Sequence, residues 1–236
     1  MTDHAPPSRA PKAPPRAAGI AGVIFSVLLM ISIALIRLAL PTEPDSWVTD
    51  PTRRNAVSLA LNLVPFAGIA FLWFMGVLRN RVGALEDQFF ATVFFGSGLL
   101  FIAMLFAGAA TAGGLLQAIT ANSGRLPDTE AFATGRATSY MLLNAFGVKM
   151  AGVFIISTCT IGLRTTVIPR WLALVGYACA LALLLIITDW PWIALVFPLW
   201  ILVVSAYILV EEFRQGHGEA VGDPIGPPSQ REAPTA

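Results

Sequence analysis

The sequence predicts an all-α membrane protein: a bundle of six transmembrane helices, with both ends of the chain on the inner side of the membrane. Hydrophobic residues make up 56% of the 236 residues and charged residues only 12%, against about 25% charged in soluble domains. The charged residues are gathered between long apolar runs. Such runs are typical of a polytopic membrane protein and not of a large soluble core.

Six apolar runs are long enough, at about 17–25 residues, to cross a bilayer. They must be helices, because lipid offers no partner to a backbone amide and the alternating pattern of a barrel strand is absent. The third run is longer than a bilayer needs, so its helix must tilt or protrude. The predicted bounds are 18–40, 57–78, 89–121, 140–163, 171–188 and 192–210.

The membrane domain, 18–210, is flanked by segments 1–17 and 211–236, which we expect to be disordered cytoplasmic tails because proline is frequent in both. The first apolar run is too long for a cleaved signal peptide. Arg37 and the Leu-Ala-Leu-Pro that follows it also offer no small-residue cleavage site. We therefore expect a retained signal anchor.

The orientation follows from the distribution of Lys and Arg, which concentrate on the cytoplasmic side of membrane proteins. With the N-terminus inside, most of them fall on inner segments. The inner group is Arg9, Lys12, Arg16, Arg79, Arg81, Arg164, Arg170, Arg214 and Arg231, and the outer loops hold Arg53, Arg54, Arg125 and Arg136. The excess of Arg over Lys, with abundant Ala, is typical of a GC-rich bacterium, so we expect a multi-pass protein of the bacterial inner (cytoplasmic) membrane.

Candidate catalytic and metal-binding groups are scarce. The two histidines, His4 and His217, lie in the predicted tails, so no imidazole is placed to bind haem or a metal within the bundle. Cys159 and Cys179 lie on different spans without CxxC spacing and are expected to be buried free thiols. No Walker motif, dinucleotide loop or metal-protease helix is present. The sequence therefore predicts no cofactor, no metal and no catalytic residue.

Small residues are concentrated in the third run, where Gly108 and Ala112, and likewise Ala109 and Gly113, are spaced four apart. This spacing lets helix backbones approach closely in lipid. Packing inside the bundle is the simpler interpretation, and a homo-oligomer formed through this face is the alternative. The lipid bilayer is the expected partner, and no basic surface indicates nucleic acid.

One polar intramembrane site is predicted, at Lys149 and Asn62. Lys149 lies in an apolar run without an acidic residue, and an intramembrane charge is a functional-site hypothesis by default. Asn62 lies beside Pro65, whose ring leaves the carbonyl of Leu61 without its helical donor. Lys149 either donates to such freed carbonyls and stabilises the bundle, or lines a water-filled cavity open to the outside.

The segment Ile168-Pro169-Arg170-Trp171-Leu172-Ala173-Leu174-Val175-Gly176, which opens the fifth run, resembles a recurring segment of uncharacterised bacterial membrane proteins assigned to domains of unknown function. Those proteins are similar in having about six spans. The resemblance implies a multi-pass bundle and implies no activity, cofactor or site residue.

Three classes of function follow from these observations. A non-enzymatic membrane component explains the absence of motifs most simply. The alternative is a small-solute or proton-coupled transporter or channel that uses Lys149 in an outward-facing cavity. A membrane enzyme is disfavoured, because no base and nucleophile pair is visible.

Overall fold

The computed structural model describes residues 16–39, 50–82, 88–123, 125, 127, 129–165, 168–185 and 192–221, and these are almost entirely helical, with no strand among them. The α-helices are α1 (Arg16–Ala39), α2 (Pro51–Val82), α3 (Gln88–Ala121), α4 (Glu130–Tyr140), α5 (Val148–Arg164), α6 (Arg170–Leu185) and α7 (Val196–Val221). A π-helix, Met141–Gly147, joins α4 to α5, and a 3₁₀ turn, Ile193–Leu195, precedes α7.

Among the described residues, five helices are long and apolar enough to cross a membrane, which agrees with the predicted all-α membrane architecture. They are α1, α2, α3, the continuous rod formed by α4, the π-helix and α5, and α7. The described part of α6 has 16 residues, a length of about 24 Å against a hydrocarbon core of about 30 Å. The rest of the fifth predicted span, from 186 to 188, lies outside the described residues, as do most of the predicted tails.

Two helices begin several residues before their predicted bounds, and the first turn of each is capped. Asp50 precedes Pro51, and the backbone N–H of Thr52 donates to its side chain at 2.8 Å. An Asp before a Pro at the first helical position is a strong helix start. Thr129 caps α4 in the same way by accepting from the backbone N–H of Phe132. The fourth helix therefore begins ten residues before the predicted position, 140, at Glu130.

α3 and the rod Glu130–Arg164 contain 34 and 35 residues, so each is about 50 Å long. Both exceed the hydrocarbon core, as predicted for α3, and they run side by side where they do so. Ser139 of α4 is buried and its Oγ donates to the carbonyl of Gly108 on α3 at 2.9 Å. A side chain on Gly108 would meet Leu143. The small residue at 108 therefore serves packing inside the bundle, whereas a side chain on Gly113 or Gly114 would meet nothing.

A cluster of phenylalanines forms the centre of the bundle, and we call it the Phe cluster. Its rings come from five helices, and each lies within 6.4 Å of another, centroid to centroid. All are almost completely buried. Tilted and edge-to-face pairs such as these are preferred by aromatic quadrupoles. The members are Phe25, Phe71, Phe74, Phe101, Phe154 and Phe197.

Candidate functional site

A cavity of about 290 Å³ lies among the helices at one end of the bundle, which we call the upper end. The described parts of α1 and α6 end there, and α2 and α7 begin there. Apolar side chains form most of the cavity wall, with four polar residues among them: Ser32, Arg37, Tyr140 and Asn144. Its apolar lining includes Leu29, Leu61, Val64, Leu105, Ala109, Leu143, Val148, Ala151, Leu183 and Ala194. A concave, mostly apolar space with a few convergent polar groups is the usual form of a small-molecule site.

The Phe cluster closes the cavity on the side of the bundle centre. Phe101 and Phe197 line the cavity and their rings are 4.7 Å apart. Behind them Phe71 contacts both rings, at 5.5 and 5.7 Å, and is fully buried. The cavity lining ends at these rings, so we describe the cavity as a blind pocket that is closed at the Phe cluster.

The π-helix forms one wall of the cavity. Leu143 and Asn144 lie within it and Tyr140 immediately precedes it, and all three line the cavity. The amide nitrogen of Asn144 donates to the backbone carbonyl of Tyr140 at 3.2 Å, which holds the side chain on this wall. Short π-helical segments within α-helices are rare and are frequently found at functional sites.

Arg37 is the single formally charged side chain among the described residues that line the cavity. It lies two residues before the end of α1, at Ala39, and is half-buried. Its guanidinium makes no ion pair with the part of the chain that the structure describes; Glu43 and Asp45, next along the sequence, lie outside that part. A half-buried guanidinium beside an apolar space favours an anion that can accept two parallel hydrogen bonds.

Lys149 does not belong to the cavity wall and has a separate role in the bundle. Its Nζ donates to the carbonyl of Leu184 at 3.1 Å, near the end of the described part of α6. Lys149 therefore joins α5 to α6 through an interhelical hydrogen bond. The accepting carbonyl is that of Leu184 and not that of Leu61, which the sequence suggested.

Asn62, the other residue of the predicted polar site, is exposed on α2. Its amide nitrogen donates to the carbonyl of Ser58, one turn earlier in the same helix, at 2.9 Å. Neither Asn62 nor Lys149 is among the residues that line the cavity. The two side chains therefore donate to different carbonyls, and the structure does not bring them together in one polar site.

Sequence reasoning missed Arg37 and Asn144 as a pair. A long side chain such as that of Arg37, close to a helix end, is ordinarily expected to reach the membrane surface. The available signal was that both are polar residues placed near the same end of their spans; which faces they occupy depends on helix packing.

Other titratable groups do not form a second site in the described residues. Cys159 is buried and Cys179 half-buried, and both are free, as predicted. No cluster of His, Cys, Asp and Glu suitable for a metal is present in the part of the chain that the structure describes. Hydroxyls within the spans, such as Ser26 and Ser32, donate to the carbonyl four residues earlier in their own helix.

The chain was compared with family models, with curated proteins and with solved structures, and none of them matches it. The cavity and the helices around it are therefore the observations that bear on function.

Proposed function

We propose that this chain is a six-span protein of a bacterial cytoplasmic membrane, with both ends inside, that binds a small lipophilic molecule without catalysis. The observation that carries the proposal is the blind cavity of about 290 Å³ at the upper end of the bundle. Its volume is near the lower limit of about 300 Å³ for small-molecule pockets. The resemblance of 168–176 to uncharacterised six-span membrane proteins agrees with this placement.

The apolar lining supports a lipophilic ligand. An apolar cavity of about 150 Å³ in a soluble protein stays dry and binds benzene. The cavity described above is about twice as large, so it has room for about twelve carbon atoms by the same measure. A molecule of this size gains dispersion contacts with a wall that otherwise has no partner atoms.

The bonding of Lys149 supports a binding role over a charge-driven transport role. Its ammonium is engaged by the carbonyl of Leu184 and does not line the cavity. The hydrogen bond accounts for the lysine as an interhelical contact. The predicted transport mechanism through Lys149 would require this bond to break and the side chain to turn toward the cavity.

An outward-open transporter is the second candidate, and the π-helix favours it. Residues 141–147 form seven consecutive π-helical residues between two α-helices. A register change there would alter the wall that carries Leu143 and Asn144, and with it the shape of the cavity. Flux of a solute across vesicles would support this candidate over a binding protein.

The binding proposal is tested by filling the cavity. Ala109 lines it, and the neighbouring Ala110 is exposed on α3 and does not. The probe is decanol, and the measurement is its effect on thermal unfolding of the purified protein in detergent. Binding to the folded state raises the unfolding temperature with ligand concentration. We expect decanol to raise it by several degrees in the wild type and in Ala110→Phe, and to have no such effect in Ala109→Phe. An equal response of all three proteins would refute the proposal.

A further inference from the structure

Resting on the proposed lipophilic pocket, we propose that its ligand is a single-chain anionic amphiphile, with its acidic head on Arg37 and its chain directed toward Phe101 and Phe197. The proposal specifies both the head and the tail of the ligand. The argument depends on where charge and apolar surface lie along the cavity.

The positive end of the cavity is near the membrane surface. Arg37 lies in the last turn of α1, and no Asp or Glu is among the described lining residues. A guanidinium is always charged and presents a planar fork of donors that matches a carboxylate or a phosphate. The amphiphile's head would therefore replace the water that otherwise solvates Arg37, and would form charge-assisted hydrogen bonds, which are about twice as strong as neutral ones.

The other polar side chains near Arg37 contribute less to the selection of the head. Ser32 is five residues before Arg37 on α1, about 7.5 Å along the helix, and its hydroxyl donates to the carbonyl of Leu28. Asn144 faces the cavity from the π-helix and uses its amide nitrogen on Tyr140. The one donor of the Ser32 hydroxyl is already used and one of the two donors of Asn144 is too, so the charge of Arg37 dominates the selection of the head.

The deep end of the cavity selects the tail. Phe101 and Phe197 form its floor, and their rings belong to the tightly packed Phe cluster. The wall between Arg37 and this floor consists of aliphatic side chains such as Leu29, Val64 and Leu105. An unbranched chain of about ten carbons fits within the capacity derived above. Two long acyl chains exceed it.

The same chemistry is present in a free medium-chain fatty acid and in the one-chain form of an anionic membrane lipid. Decanoate represents the first source, and a lysophosphatidylglycerol with a decanoyl chain represents the second. Decanol has the chain without the charge, and decyltrimethylammonium has the opposite charge. The tighter of the two anionic probes identifies the source.

Isothermal titration of the purified protein in a non-ionic detergent measures each dissociation constant. We expect the wild type to bind at least one anionic probe about tenfold more tightly than decanol, and decyltrimethylammonium more weakly than decanol. Arg37→Gln should weaken the anionic probe about tenfold and leave decanol binding unchanged, which also shows that the variant is folded. Arg136→Gln is the matched control, because Arg136 is exposed on α4 and does not line the cavity; it should bind every probe as the wild type does.

Two results separate the two proposals. If decanol binds and is lost in Ala109→Phe, but neither anionic probe binds more tightly than decanol or Arg37→Gln changes nothing, the anionic head is wrong and the lipophilic pocket stands. If decanol does not bind in a manner that Ala109→Phe abolishes, the pocket itself is wrong.

Discussion

A lysine in the apolar part of a membrane span costs about 2.5–3.5 kcal/mol on insertion scales. Lys149 offsets part of this cost through the 3.1 Å hydrogen bond to the carbonyl of Leu184. The hydrogen bond joins α5 and α6, two helices that pack on each other.

The variant Lys149→Met tests this role. It removes the ammonium and its hydrogen bond to the Leu184 carbonyl, at a cost of about 1–3 kcal/mol. The variant also no longer has to desolvate a charge, which offsets part of this cost. We expect a lower unfolding temperature by a few degrees and unchanged binding of decanol, since Lys149 does not line the cavity. Lys149→Arg keeps a donor and should lie between the two. Loss of decanol binding without loss of stability would place Lys149 in the ligand site instead.

Packing of the helices depends on shape, because lipid tails are as apolar as the side chains that they would replace. Phe71 of α2 shows this best, since its ring lies 4.7–6.2 Å, centroid to centroid, from Phe25, Phe74, Phe101, Phe154 and Phe197. These contacts come from four other helices as well as its own. Phe71 is therefore the ring through which α2 contacts four other helices at the centre of the bundle.

Phe71→Ala is expected to lower the free energy of unfolding by about 3–5 kcal/mol, the range for a buried Phe that leaves a cavity. Phe66→Ala on the same helix is the matched control, because Phe66 is 63% exposed in the isolated chain and Phe71 is 0% exposed. Its effect should be small. The comparison uses the midpoint of thermal unfolding in detergent. Similar losses in both variants would mean that α2 is held by its lipid-facing surface and not by the Phe cluster.

At the scale of the whole molecule, the long apolar runs were sufficient to predict the helices, because their length matches a bilayer. The start of α4 at position 130 was not predicted, because composition assigns this stretch to a loop. The Thr129 cap and the packing of α4 on α3 stabilise a helix there. The site is harder to predict. Arg37 and Asn144 share a cavity only because α1 and the π-helix face each other, and a π-helix at 141–147 has no strong signature in side-chain pattern. Lys149 was recognised as exceptional, but its acceptor lies 35 positions along the chain.

The orientation of the whole bundle is tested by fusion of alkaline phosphatase, which is active only outside the cytoplasm. The N-inside arrangement predicts activity for a fusion after Ser123, beyond α3, and none for a fusion after Arg81, near the end of α2. Comparable expression of both fusions is the control. The reverse pattern of activity would invert the bundle and place the cavity on the cytoplasmic side.

The central claim is that the cavity opens to the outside and ends blind at the Phe cluster. It is tested most directly by labelling single cysteines in intact cells with a small membrane-impermeant thiol reagent, in a background where Cys159 and Cys179 are replaced by Ala. Ala109→Cys lies on the cavity wall, and Ala67→Cys lies on α2 where the side chain is fully buried beside the Phe cluster. We expect Ala109→Cys to be labelled from outside and protected by decanol, and Ala67→Cys to be unreactive from either side. Equal labelling of both positions would show a continuous pathway through the bundle. Labelling of Ala109→Cys only in inverted vesicles would show that the cavity opens inward. Either result would contradict the account.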